Sequence, residues 1–275
     1  MALRINSNVA SVFSQKHLSR SQERLGENFA KLSSGLRITK AADDAGGLGV
    51  SEVLRARIRS LGAAVRNTND GISMVQTAES SLAEIGNSLG RMRELAVQAT
   101  SGVLQAGERA YLNTEFAALA TEINRVANVT EFNGLFLSNA ATASVAVQVG
   151  AGAIAANDQI AVTLKSGLAT ALGINASNLG NTTASLAAIT ALDTAIDSNN
   201  TNRASYGASQ NALTSALHQL ESQTENLVAA ESRIRDVDFA SETADMTRNN
   251  IFQQAGVAVL AQANSAPQVA LQLLS

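Results

Sequence analysis

The sequence predicts a mainly α protein: a long antiparallel helical rod or coiled coil carrying a small β-hairpin insert. Three observations lead to that expectation. Apolar residues recur at alternating spacings of four and three in both halves of the chain, the pattern of helices that pack along one another. The single proline, Pro267, leaves almost the whole length free to be helical. Hydrophobic residues make up 45% of the chain but aromatic ones only 3%, so the core must be thin and built from Ala, Leu, Val and Ile.

The first element is marked by Leu18, Leu25, Phe29, Leu32 and Leu36, with Gln22 in the one non-apolar slot of a 4-3-4-3-4 stripe. The stripe stops near Ser33-Ser34-Gly35. Ala41 to Gly47 then reads as a linker of small residues with two helix-start acids, Asp43 and Asp44. A second helix follows on Leu54, Ile58, Leu61, Val65, Thr68, Ile72 and Val75. Its phase slips by one residue at Ala78 and continues through Leu82, Ile85, Leu89 and Met92. Spanning about residues 45 to 100, it would be roughly 80 Å long at 1.5 Å per residue. Ser101-Gly102 breaks it, and a shorter helix is expected from about Gly107 to Asn128.

The centre changes character. Between Asn139 and Asn202 the only charges are Asp158, Lys165, Asp193 and Asp197. Val145, Val147 and Val149 alternate with small or polar residues, as do Ile160, Val162 and Leu164, so a β-hairpin is expected within about 141–190. The remainder of this stretch reads as loop or small helix. Helical periodicity returns at Leu213, Leu220, Leu227 and Ile234, seven apart. A last helix holds Ile251, Phe252, Ala255 and Val259, is expected to break at Ala266-Pro267, and ends on the apolar Val269, Leu271, Leu273 and Leu274.

Net charge is −3, which gives no reason to expect nucleic acid as a partner. The charge is unevenly spread. Residues 1–40 carry seven basic side chains against Glu23 and Glu27, whereas 236–275 carry Arg248 against Asp236, Asp238, Glu242 and Asp245, so the two ends are expected to attract. There is no cysteine, which excludes a disulfide framework and thiol chemistry. No stretch approaches the roughly 20 apolar residues that would span a bilayer, so no membrane partner is expected. The opening MALRINSNVASVFSQKHL has no uninterrupted apolar run of the kind a secretory signal needs; its composition also suits a mitochondrial presequence.

An enzyme is not expected, nor any metal or cofactor. His17 and His218 fall on different predicted helices, and neither sits in a metal-ligand spacing. Asp43 and Asp44 are neighbours whose side chains diverge by about 100° on a helix, so they cap rather than form an acid/base pair. Gly46, Gly47 and Gly49 lack the strand-turn-helix setting of a phosphate loop. The informative feature is the pair of apolar stripes on the terminal segments, which have little to pack on but each other. Periodicity alone supports an ordinary helical bundle and an open polymer of head-to-tail contacts equally.

Longer motifs separate these. Leu32-Ser33-Ser34-Gly35-Leu36-Arg37-Ile38, followed by Ala42-Asp43-Asp44-Ala45-Gly46, resembles the N-terminal signature of bacterial flagellins. So do Arg66-Asn67-Thr68-Asn69-Asp70-Gly71-Ile72-Ser73, Arg93-Glu94-Leu95-Ala96-Val97-Gln98 and Glu131-Phe132-Asn133-Gly134. Ala230 to Asp238, Gln253-Gln254-Ala255-Gly256, Val259 to Asn264 and Pro267-Gln268 match the other end. The resemblance implies a filament subunit, with 1–43 and 237–275 pairing as an inner-tube coiled-coil domain and 44–236 forming an outer rod without the large outer domains. The alternative within the same class is a hook–filament junction protein.

The resemblance also implies partners: further copies of the chain, an export chaperone on the C-terminal helix, the filament cap and hook-associated proteins. It implies export unfolded through the flagellar type III apparatus to an extracellular filament. The polymerisation seam would comprise Leu18, Leu25, Phe29, Leu32, Leu36, Ile251, Phe252, Val259, Leu271 and Leu274. Arg91, Leu95 and Glu115 match the family surface read by a Toll-class innate receptor of hosts. Two departures stand out: the glycine-rich Gly46-Gly47-Leu48-Gly49, implying a looser joint, and Ala212, where an Arg is typical.

Overall fold

The computed structural model describes residues 7–139 and 143–272, the side chains of 267–272 excepted. It is mainly α, with long helices and a small antiparallel hairpin in the centre, as the periodicity predicts. The elements are α1 (Val9–Ser34), α2 (Ala45–Ala99), α3 (Ala106–Val129), β1 (Glu131–Phe132), β2 (Leu135–Phe136), β3 (Ser144–Gln148), α4 (Ala155–Asp158), β4 (Gln159–Thr163), α5 (Thr182–Arg235) and α6 (Phe239–Gln272). They divide into a terminal unit, Met1–Ala56 with Asn226–Ser275, and a central unit, Arg57–Glu225.

In the central unit α2, α3 and α5 surround one continuous apolar core. α2 contributes Met74, Val75, Ala78, Leu82, Ile85, Leu89, Met92 and Leu95, so the one-residue slip at Ala78 is real. A step of three residues falls about 60° short of a full turn, so the slip carries the buried stripe further round the helix. Phe116, Ile123 and Ala127 of α3 fill the next side of this core. α5 runs antiparallel to α2: Arg203 pairs with Glu79 at 2.7 Å, and Asn199 donates to the Leu82 carbonyl at 3.0 Å.

α5 starts thirty residues earlier than its apolar pattern suggests. Read backwards from Ile234, the seven-residue spacing continues through Leu213, Tyr206, Asn199 and Leu192 to Ser185, and these last five are all buried. Ser, Asn and Tyr at those slots hide the repeat from a hydrophobicity reading. The start is set by Asn181, whose side-chain oxygen accepts from the Ala184 N–H at 2.8 Å.

The hairpin lies where the alternation puts it. β3 and β4 pair with Val145 opposite Val162 and Val147 opposite Ile160, burying Val147 and Val162. Residues 164–181 are irregular yet bury Leu164, Ala169, Leu172, Ile174 and Leu179. Their backbone is held by side chains: Asn124 and Asn113 accept from the Ala169 and Leu179 N–H groups, and the Tyr206 hydroxyl accepts from Lys165 N–H at 2.8 Å. A second, shorter hairpin, β1–β2, turns on Asn133 and Gly134, both at positive φ. Asn-Gly is the preferred pair for such a turn.

In the terminal unit α1 and α6 lie antiparallel. α1 ends on Gly35, whose φ of 71° is the left-handed C-cap that glycine adopts without penalty. α2 begins at Ala45, where its start is expected, so it takes up the last residues of the stretch that reads as a linker. Asp44 caps it by accepting from Gly47 N–H at 2.8 Å, while Asp43 accepts from the Thr39 and Lys40 N–H groups and so holds the preceding turn. Gly47 is tightly packed, since a Cβ there would sit 2.8 Å from Ile38 Cδ1. A Leu36–Asp236 bridge and the Arg37 N–H to Arg235 carbonyl bond, 2.6 Å, strap the two joints together.

α6 departs from expectation at Pro267, where it continues unbroken to Gln272. A proline interrupts a helix partly because the carbonyl four residues back loses its N–H partner. Here that carbonyl, of Ala263, accepts instead from Asn8 Nδ2 at 2.8 Å.

Candidate functional site

The α1–α6 pair is the most unusual surface of the chain. Protected positions on α1 recur at 11, 14, 18, 21, 25, 28 and 32, and on α6 at 242, 246, 249, 253, 256, 260 and 263. Both series alternate threes and fours, as a two-helix seam requires. Its contents are mixed: Leu18, Leu25, Leu32, Met246 and Leu260 alternate with the small or polar Ser11, Ser14, Ser21, Asn28, Glu242, Asn249, Gln253, Gly256 and Ala263. Leu18 packs on Gly256, which leaves room for it. Asn28, 7% exposed, donates to Glu242 at 2.5 Å and accepts from Asn249 at 2.8 Å. Ser11 donates to Asn264 at 2.7 Å.

The aromatic and β-branched side chains point away from this seam. Val9, Val12, Phe13 and Phe29 of α1 and Phe239, Ile251, Phe252, Val257 and Val259 of α6 are all exposed, Phe29 by 54% and Ile251 by 58%. Leu18, Leu25, Leu32 and Leu36 are half-buried. The ten-residue seam named from sequence thus falls into two sets, four leucines turned inward and Phe29, Ile251, Phe252 and Val259 turned outward. The side chain of Leu271 and the whole of Leu274 lie outside the described residues.

The charges of the two ends do not meet as expected. Among the described residues no ion pair joins α1 to α6, and Arg248 pairs within its own helix with Asp245 at 2.9 Å. The link between the basic and acidic ends is instead the Asn28–Glu242 hydrogen bond. Lys and Arg heads stay in water, where an exposed pair gains little.

In the central unit, Arg91 of α2 bridges Glu115 of α3 at 2.8 Å and Glu94 at 2.9 Å, on the surface. The Glu115 carboxylate, followed by that of Glu94, pushes the Arg91 guanidinium further toward its charged form. Leu95 is placed differently: it is 1% exposed, inside the core. It therefore supports the patch from beneath and offers no contact surface. His17 packs edge-to-face on Phe13 at 4.4 Å, and His218 lies 3.5 Å from Glu221. Among the described residues there is no group of three His, Cys, Asp or Glu side chains that would hold a metal ion.

Comparison with known proteins places this architecture. The model for the bacterial flagellin N-terminal helical region matches residues 5–143, and that for the C-terminal helical region matches 189–274. The chain belongs to the bacterial flagellin family. It is 43% identical over 272 residues to a flagellin of Halalkalibacterium halodurans, covering 98% of this chain and 99% of that one. With a Bacillus subtilis flagellin the identity is 40% over 307 residues, covering 99% and 100%. The crystal structure of a Bacillus cereus flagellin, 34% identical, covers 60% of this chain and 94% of its own with a TM-score of 0.51. A Vibrio parahaemolyticus chain assigned as a flagellar hook-associated protein has a TM-score of 0.59 at 14% identity, a likeness of fold alone.

This flagellin-family chain is accordingly a structural subunit of the bacterial flagellar filament. Full-length relatives that are themselves flagellins favour that role over a hook–filament junction. The absent outer domains account for its length: relatives of similar size align end to end.

Proposed function

We propose that α1 and α6 are the elements through which copies of the chain assemble, and that 1–43 with 237–275 line the tube of the filament while 44–236 face outward. The observation that carries this reading is the outward set of large apolar side chains around a thin seam of leucines and small or polar residues. An apolar face of that kind is stabilised by burial at about 25 cal/mol per Å², and neighbouring copies offer the same apolar face in return. Such contacts join unlike faces, so they propagate as an open helix. Phe29, Ile251, Phe252 and Val259 make the contacts between subunits in this reading, and Leu18, Leu25, Leu32 and Leu36 hold the pair itself. Leu271 and Leu274 would extend the C-terminal face.

The same reading takes the subunit to an extracellular filament by export in unfolded form, which a chain without cysteine permits. An export chaperone covers the apolar face of α6 before assembly, and the cap and hook-associated proteins engage the same ends. The Arg91–Glu115 patch is the surface recognised by the Toll-class receptor. The subunit carries out no catalysis and holds no cofactor.

Deleting 245–275 tests the assembly claim directly. The truncated protein should keep its helical circular dichroism apart from the lost segment and form no filaments by electron microscopy. Filaments built from it would remove the role given to α6.

A further inference from the structure

We infer that Asn8 and Pro267 act together as a register pin for the α1–α6 pair, Asn8 supplying to the Ala263 carbonyl the hydrogen bond that the proline withholds. The inference rests on the reading of this pair as the assembly element, and concerns how its outward pattern is set. In an α-helix the N–H of residue 267 would donate to the carbonyl of 263. Proline has no N–H, so inside α6 that carbonyl is released from the ladder, and Pro267 is the only proline of the chain. Asn8 Nδ2 donates to it at 2.8 Å, across 255 residues of sequence.

The other half of the same carboxamide is also in use. Asn8 Oδ1 accepts from the Ser11 N–H at 3.0 Å, capping α1. One side chain therefore starts α1 with its acceptor and closes the gap in α6 with its donor. Reversing the amide would set donor against donor and acceptor against acceptor, so these partners fix its orientation. Ser11, itself buried, adds a second bond one residue further along α6, to Asn264 at 2.7 Å.

The arrangement discriminates between registers. Elsewhere in the body of α6 each carbonyl already has its own helical N–H. A slide by a turn or a heptad would face Asn8 with an occupied acceptor and leave Ala263 without a partner. The seam leucines Leu18, Leu25 and Leu32 recur every seven residues and so tolerate a heptad slide, and polar contacts of this kind decide the register. Asn28, bonded to Glu242 and Asn249 at the far end, favours the same alignment. Register in turn sets where Phe13 and Phe29 lie relative to Ile251 and Phe252, and hence the shape offered to a neighbouring copy.

The test is a double-mutant cycle on full-length chains, read as the critical concentration for filament growth. Asn8→Ser keeps a capping hydroxyl but cannot reach Ala263, and Pro267→Ala returns the missing N–H. Asn8→Ser should raise the critical concentration about tenfold when Pro267 is present, the effect of losing one part-buried hydrogen bond. In the Pro267→Ala background the same substitution should raise it by no more than about twofold, because the carbonyl then keeps its helical partner. For a variant that does not grow alone, the fraction taken up into unsubstituted filaments gives the same ratio. Equal losses in both backgrounds, or no loss in either, would overturn the pin. Growth of the 245–275 truncation would instead overturn the underlying assembly reading.

Discussion

Leu95 and Arg91 lie one helical turn apart on α2 and meet opposite environments. Leu95 is packed in the core against residues of other elements, whereas Arg91 reaches across the surface to Glu115. Truncating Leu95 to Ala should destabilise the subunit by about 3 kcal/mol, the usual cost of a leucine-sized cavity, as a lowered thermal midpoint of the monomer. Arg91→Ala should leave that midpoint nearly unchanged, because its ion pairs are exposed. In a receptor assay on monomer it should lower potency by about tenfold, as loss of a charged contact does; unchanged potency would refute the receptor patch. Local chemistry at this scale was legible: Asp44 caps α2 because a carboxylate before a helix has few better uses. The burial of Leu95 was not, since it depends on packing by elements later in the chain, and no spacing within α2 records which side they take.

Among the elements, the turn between α1 and α2 is held by a charge. The backbone N–H of Lys40, then that of Thr39, hold the Asp43 carboxyl below its ordinary range. Glu52, near the start of α2, is held low chiefly by the hydrogen bond from Arg235, at 2.8 Å. A carboxyl whose folded pKa is depressed adds stability above its unfolded pKa and gives it up as pH falls through the folded value. Acidification below the ordinary carboxylate range should therefore release the Thr39 and Lys40 amides, seen as a fall in their hydrogen-exchange protection. Asp43→Ala should leave those amides unprotected at every pH, and protection that ignored both pH and the substitution would count against this account. Legibility differs among elements for a related reason. Leu213 to Ile234 announces a helix because leucine is visible to any hydrophobicity reading. Ser185, Asn199 and Tyr206 continue the same repeat unseen, because what they bury is small, or polar and hydrogen-bonded. Pro267 misled in the other direction: its usual effect on a helix is offset by a side chain at the opposite end of the sequence.

For the whole molecule, the decisive fact is where the core is. Its continuous apolar cluster runs from Met74 to Leu213, entirely within Arg57–Glu225. Among the described residues the terminal unit contributes nothing to it; beyond Ile38 and Val237 at the joints, its buried side chains there are Ser11, Asn28 and Ser51. Separate terminal and central parts were legible in composition and motif, through the charge-poor centre and the stripes at the ends, with the boundaries put at 43/44 and 236/237 where the structure divides at 56/57 and 225/226. The split of those stripes into inward leucines and outward phenylalanines was not, because a 4-3 spacing marks a face without saying what covers it. Stability and assembly should therefore separate. A chain trimmed to 44–236 keeps every residue of the cluster, and it should unfold cooperatively within about 3 °C of the full-length monomer, since little buried apolar area is lost. It should also stay monomeric in sedimentation at concentrations where the full chain polymerises. Loss of the cooperative transition on trimming would mean that the terminal helices stabilise the subunit itself, and the outward apolar set would then need a partner within the same molecule.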